Sequence, residues 1–324
     1  MRKIINLFFV GFVGVAAFAA PTVTDVVAKQ RYPWNGLVDI TCKVEGINEA
    51  KGDWHFVLSA VFPDSGNIRR MSQFWVVRDG VKSSNLSVAT NGNYRLLWDA
   101  KANLGEVWYT NMVVRVTINE RQKVQLWEGG PYWATTNIGA EKPEDYGYYF
   151  WWGDTVGYKR ENGKWVASDG SNSNFSFSYG NTPTYGKDNS TLQSEGWITS
   201  DGVLAPEHDA AHKHWGGDWR MPTSQEFRDL NSKCDWVWTS TNGIYGLIVS
   251  GKGDYASNRI FLPCAGGGGG TSLYDAGSHG QFWSSVPDSD YDQAISLGFS
   301  GYHDMFGTHR FYGRSVRPLQ GFTK

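Results

Sequence analysis

Apolar and polar positions alternate with a period of two over much of residues 21–118. The segments VTDVVAKQ, LVDITCKV, WHFVLSAVF, NYRLLWDA and WYTNMVVRVTI alternate or run apolar, and they are rich in β-branched and aromatic residues. Turn-forming clusters separate them: PWNG at 33–36, DSGN at 64–67 and NGN at 91–93. Strands spaced this way predict a small antiparallel sandwich. The polar stretch Asn119-Glu120-Arg121-Gln122-Lys123 interrupts the pattern. It divides the chain into a domain at 21–119 and a second at 120–324.

The second domain changes period. Pro206 suits a first helical position, with Glu207 and Asp209 near the positive end of the dipole. His212, Lys213 and His214 fall in the last turn, and Gly216 stops the helix. A second helix opens with a capping box, Thr223-Ser224-Gln225-Glu226, and carries Phe227, Leu230 and Cys234 as a core-facing stripe. Short strands follow: WVWTST, GLIVSG, RIFLPCAG, QFWSS, AISLGF and RSVRPL. Residues 154–200 are rich in Gly, Ser, Asn, Asp and Thr, which predicts a long surface insertion without regular structure. The run Gly266–Gly270 predicts a mobile loop.

Residues 1–20 have the pattern of a signal peptide. Arg2 and Lys3 are basic, Ile4 to Phe18 is apolar but short for a membrane span, and Ala17-Phe18-Ala19 is a small-x-small cleavage site. The expectation is an exported protein, secreted or held in the cell envelope, with no membrane insertion after cleavage. The 324 residues are 40% hydrophobic and 15% aromatic, ample for sizeable cores. Net charge is −2, so nothing electrostatic favours nucleic acid as a partner.

Three cysteines occur, Cys42, Cys234 and Cys264, an odd number that leaves at least one thiol unpaired. Cys42 and Cys264 lie in strand-like segments, where a buried free thiol is the plain reading; a Cys234–Cys264 disulfide is the alternative. No CxxC spacing points to zinc.

Six segments carry a resemblance: WATTNIGAEKPEDYGYYFWWGDT, LAPEHDAAHKHWGGDWRMPTSQEF, LNSKCDWVWTSTNGIYG, IFLPCAG, FWSS and YGRSVRPL. Through them residues 122–319 resemble the bacterial family known as the Fibrobacter succinogenes major paralogous domain. Cys264 stands where that family has a small apolar residue. The first domain resembles Ig-like modules through VDITCKVEG and LLWDAKANLGEVWYTNMVVRVTI. The resemblance implies an α+β C-type-lectin-like domain, with two helices, short antiparallel strands and long loops, after an all-β Ig-like sandwich. It also implies display of loops for recognition of a protein or a glycan.

Four candidate chemistries remain. In retroelement-diversified relatives, variation lies just before the final strand. Here that segment is a Gly, His, Asp and aromatic loop from Ser300 to His309, after a strand at 294–299, and its composition resembles a paratope. The candidate ligand contacts are Tyr291, Tyr302, His303, Asp304, Met305, Phe306, His309 and Phe311; an ordinary surface hairpin is the competing reading. The tryptophans of the motifs (151, 152, 215, 219, 236, 238 and 283) are expected to pack in the core. Trp219, Arg220, Thr223, Glu226, Trp283, Arg314 and Arg317 are expected to be scaffold, the arginines held by ion pairs or backbone carbonyls, with Glu226 or Asp218 as partners. His208 and His212 stand four apart, but a third metal ligand and an HExxH motif are missing, so no metal and no cofactor is expected. Calcium-dependent lectin motifs are absent too.

Catalysis has little to build on. The formylglycine-generating enzymes that share the implied fold need a cysteine pair near the C-terminal end, and no cysteine follows Cys264. The leading expectation is therefore an exported, non-catalytic binding protein. The alternatives are a structural or adhesive part of a cell-envelope assembly and a divergent sulfatase-modifying enzyme of that superfamily.

Overall fold

The computed structural model describes residues 20–32, 35–47, 52–106, 109 and 111–321. The expected signal peptide lies almost wholly outside the described residues.

Residues 22–120 form two antiparallel sheets. One runs in the order Thr22–Gln30, Leu37–Glu45, Gly92–Asp99, Phe74–Arg78, Val81–Ser83. The other is built on Trp54–Phe62, which pairs with Asn67–Met71, Ser87–Val88 and Val113–Glu120. Period-two patterning explains the packing: along Leu37–Glu45, Val38, Ile40, Cys42 and Val44 are buried while Thr41, Lys43 and Glu45 face water. These side chains meet Phe56, Leu58, Val76, Leu96 and Trp98 in one core.

The rest of the chain corrects the α+β expectation. It is dominated by small antiparallel sheets. Among all the described residues there are four α-helices, α1 (Ala100–Leu104), α2 (Asn189–Ser194), α3 (Ala210–Trp215) and α4 (Ser224–Lys233), and the longest has 10 residues. A C-type-lectin-like domain of two helices with strands and long loops is not what the chain builds. The physical reason is composition: Gly-rich, aromatic-rich sequence closes short hairpins and buries rings, leaving few windows long enough for a helix.

Three cores hold this region. Phe227 and Leu230 of α4 pack with Trp133, Leu262, Phe282 and Leu297. Ala210 and Ala211 of α3 pack with Phe150, Trp152, Trp283 and Val316. A third core, Tyr149, Tyr158, Trp165, Phe175, Phe177 and Ala265, corrects the expectation for residues 154–200. That segment folds into a hairpin, Tyr158–Glu161 with Lys164–Ala167, and helix α2. The strand Tyr132–Ala134 pairs with Lys123–Gln125 and with Leu319–Gln320, joining the two ends of the region.

The glycine run is likewise a strand, Gly267–Gly269, buried and paired with Ser272–Tyr274. A Cβ at Gly268 would run into the ring of Phe177, so glycine is there for close approach, not for mobility.

Helix α3 starts later than predicted. Its N-cap is Asp209, whose carboxylate accepts from the backbone N–H groups of Ala211 and His212, and Pro206 lies outside it. Helix α4 has its capping box in full: Thr223 Oγ1 accepts from Glu226 N, and Glu226 Oε2 from Thr223 N. The three cysteines are free and buried, so Cys234 and Cys264 do not pair. No helix among the described residues is long and apolar enough to cross a membrane.

Candidate functional site

The segment expected to be a loop is mostly strand. Gly280–Pro287, Gln293–Phe299 and His303–His309 form a three-stranded sheet, and only Ser300 to Tyr302 turn between the last two. Strand geometry then divides the candidate contacts. His303 and Met305 point one way; Met305 packs on the core around α4. Asp304 and Phe306 point the other way, and the Phe306 ring lies over Gly298, where a Cβ would strike it. His309 and Phe311 stack in parallel at 5.4 Å and gather with Tyr185 and Tyr312 at a separate place. His309 Nδ1 is 3.1 Å from Asp292. Tyr291 stands exposed on the turn before Gln293. The eight candidates therefore do not form one surface.

Tyr302 and His303 do reach a common site with residues the sequence reading placed in the core. The hairpin Asp235–Thr241 and Ile244–Ser250 turns at Asn242-Gly243, both with positive φ, as a two-residue turn requires. That turn fixes Trp238 opposite Leu247 and Ser240 opposite Tyr245. Trp236, Trp238 and Tyr245 consequently share a face. Trp238 and Tyr245 lie nearly parallel, 19° apart at 6.2 Å. Trp236 stacks on His303 at 4.3 Å and 15°. His303 Nδ1 also meets Asn231 Oδ1 of α4, which holds the ring in place.

These rings line a groove of about 1010 Å³, closed on its other side by Gly277, Ser278, His279 and the turn Ser300–Tyr302. Trp238 is 44% exposed, Tyr245 52% and Tyr302 77%, so the aromatic faces are open to a ligand. Among the described residues, no Asp, Glu, Lys or Arg lines the groove. Burial lowers the His303 imidazole below its ordinary pKa, with Asp304 working the other way.

The core expectation is thus corrected for Trp238, which is exposed; Trp151, Trp215 and Trp236 are half-buried and pack against the cores. Trp152, Trp219 and Trp283 are buried. Trp152 Nε1 donates to Ser284 O at 3.0 Å and Trp283 Nε1 to Phe150 O at 2.8 Å. The signal for the groove was present in Trp236-x-Trp238, which puts both indoles on one strand face, and in the Asn-Gly turn that brings Tyr245 beside them.

The arginines tie distant parts of the second region together. Arg220 pairs with Glu226 at 2.5 Å, whereas Asp218 is exposed. Arg317 is fully buried and has neutral acceptors only in its hydrogen bonds: Asn137 Oδ1 at 2.9 Å, Ala134 O at 3.2 Å and Phe261 O at 2.9 Å. Arg314 is buried with its guanidinium over Tyr312. Sequence reasoning missed Arg310, which is fully buried, donates to Gln293 O, Thr184 O and Lys187 O, and lies over Trp152. Its place four residues before Arg314 in an apolar segment was the available signal.

His208 lies outside α3, its ring packed at a tilt on Trp197 at 3.9 Å. Among the described residues, no three His, Cys, Asp or Glu are grouped to hold a metal. No family model matches this chain, and no curated protein or solved structure matches it.

Proposed function

We propose that this is an exported, non-catalytic binding protein whose aromatic groove recognises a neutral glycan. The observation that carries the reading is the groove's composition: open Trp and Tyr faces beside Ser, Gly and His, with no fixed charge. Pyranose rings present apolar C–H patches that pack flat on aromatic faces, while their hydroxyls need only neutral donors and acceptors. The parallel pair Trp238 and Tyr245 offers a platform, and Tyr302 and His279 flank it. A lining without Asp or Glu provides no carboxylate pair for acid–base work, which supports recognition over glycoside chemistry. The leader-like start of the chain, Arg2 and Lys3 before a short apolar run, supports export.

The test is a glycan-and-protein array probed with the mature chain, followed by Trp238→Ala and Tyr302→Ala. Each replacement removes a central aromatic contact worth about 2 kcal/mol, so affinity should fall roughly thirtyfold with the melting temperature unchanged. Glycan binding that survives both replacements would rule the groove out, and binding to protein spots alone would replace the glycan with a protein ligand.

A further inference from the structure

The strand Asp235–Thr241 forms one edge of the sheet it shares with Ile244–Ser250 and Arg259–Pro263. The turn Asn242-Gly243 fixes which backbone groups that edge presents. A two-residue turn closes with the Thr241 carbonyl accepting from Ile244 N–H, so Thr241, Thr239, Val237 and Asp235 bond inward to the neighbouring strand. The N–H and C=O groups of Trp236, Trp238 and Ser240 therefore point outward. Tyr245, opposite Ser240, agrees with this: its carbonyl turns away and accepts from Cys264 N. Among the described residues, no strand, bridge or loop pairs with this edge. Asp235, Val237, Trp238 and Ser240 are all exposed.

Three other edges are guarded. Thr22–Gln30 breaks register between Thr24 and Val27 and carries Lys29. Asn67–Met71 carries Arg69 and Arg70. Arg259–Pro263 ends in proline, and its Phe261 carbonyl is taken by Arg317. Bulges, cations, proline and covered backbone keep an edge from pairing with another chain. Asp235–Thr241 has none of these. Its register runs unbroken from Asp235 opposite Ser250 to Thr241 opposite Ile244. Its one charge is Asp235 at the end, 3.5 Å from Lys252.

We propose that this edge pairs with the same edge of a second copy of the chain, antiparallel about a two-fold axis at Trp238. Centring there is the register that engages every outward residue: Trp238 meets Trp238 of the partner subunit, Trp236 meets the partner's Ser240, and Ser240 meets the partner's Trp236. Charge agrees with a second copy as the occupant. Asp235 falls opposite the partner's Thr241, at the far end from the partner's Asp235, so like charges do not meet. The central aromatic pair adds a cross-strand contact. The axis stands perpendicular to the joined sheet, so both aromatic grooves open on one side. The pairing does not depend on what the groove binds. A strand of 7 residues makes a small interface, so the dimer is weak and concentration-dependent.

The test is sedimentation velocity of the full mature chain from about 1 µM to about 500 µM, where a weak dimer forms. The sedimentation coefficient should rise with concentration towards that of a dimer. Ser240→Pro removes an outward N–H at a place where an edge strand tolerates proline, so association should weaken at least about tenfold with the melting temperature kept. Cross-linking reads the register. Trp238→Cys should form a disulfide-linked dimer under mild oxidant, because a reciprocally bonded pair sets the two Cα atoms about 5.5 Å apart, within disulfide reach. Ser240→Cys faces position 236 of the other copy and should cross-link far less. The native cysteines are buried and do not compete. A chain that stays monomeric at every concentration would overturn the proposal and leave the edge to a strand of another protein. Cross-linking as strong at 240 as at 238, or a dimer indifferent to Ser240→Pro, would overturn the pairing assigned to it.

Discussion

Arg317 shows what single residues do here. Its guanidinium is fully buried without a carboxylate, and burial drives its pKa down to about 9. It works by supplying donors to three neutral oxygens from two distant parts of the chain, residues 134–137 and Phe261. Arg317→Ala leaves those acceptors buried and unpaired, at about 1–3 kcal/mol apiece, so stability should fall by about 3 kcal/mol or more. Denaturant unfolding checks this, and an unchanged midpoint would refute it. That an arginine in YGRSVRPL must be held was legible from the apolar residues around it. Its partners were not, because Ala134, Asn137 and Phe261 are far away in sequence.

At the scale of elements, α3 and the turn before the hairpin Tyr158–Glu161 and Lys164–Ala167 set a pH dependence. His214 ends α3, where a cation would suit the dipole, but the fold buries it and pushes its pKa down to about 4. The unfolded chain takes up that proton near pH 6.5 while the folded chain resists until about 4. Its contribution to stability is therefore lost as pH falls through that window, at up to about 1.4 kcal/mol per pH unit. His55, pushed down to about 3 by burial and by Arg121 and Arg70, acts in the same direction. Asp154 acts in the opposite one: burial raises it to about 7, so its contribution is present at low pH and lost as pH rises from 3.8 towards 7. His214→Gln should stabilise the chain at pH 4.5 relative to its own value at pH 7, compared with wild type. Thermal melts across this range decide it, and parallel pH profiles would sink the idea. The basic cluster at 212–214 was visible in the sequence, but its charge state depended on what packed over His214.

For the whole molecule, the separation of the hydrophobic cores matters most. The core around Trp98 shares no residue with the three beyond Lys123. The contacts across the junction include the polar pairs Arg70–Glu141, Lys123–Asp53 and Gln320–Asp53. Exposed pairs of this kind add little, about 0–1 kcal/mol each. Scanning calorimetry should therefore show two unfolding transitions, and the one belonging to the sandwich should shift with Trp98→Ala while the other stays in place. A single cooperative transition would contradict this.

Sequence by itself determined what depends on near neighbours. Period-two alternation specified the strand Leu37–Glu45 and its buried face, and Thr223 with Glu226 specified the start of α4. Those signals are complete within a few residues, because a strand's pleat and a helix's first turn are local. Tertiary structure decided the rest. It made His303–His309, within the expected loop, a strand beside Gln293–Phe299, and the glycine run a packed strand under Phe177. It placed Trp238 outside and Trp283 inside, although both are tryptophans in short apolar runs. Whether a ring is core or ligand platform depends on what lies across from it, and in this chain the facing residues come from turns 30 to 60 residues away, at Gly277–His279 and Ser300–Tyr302.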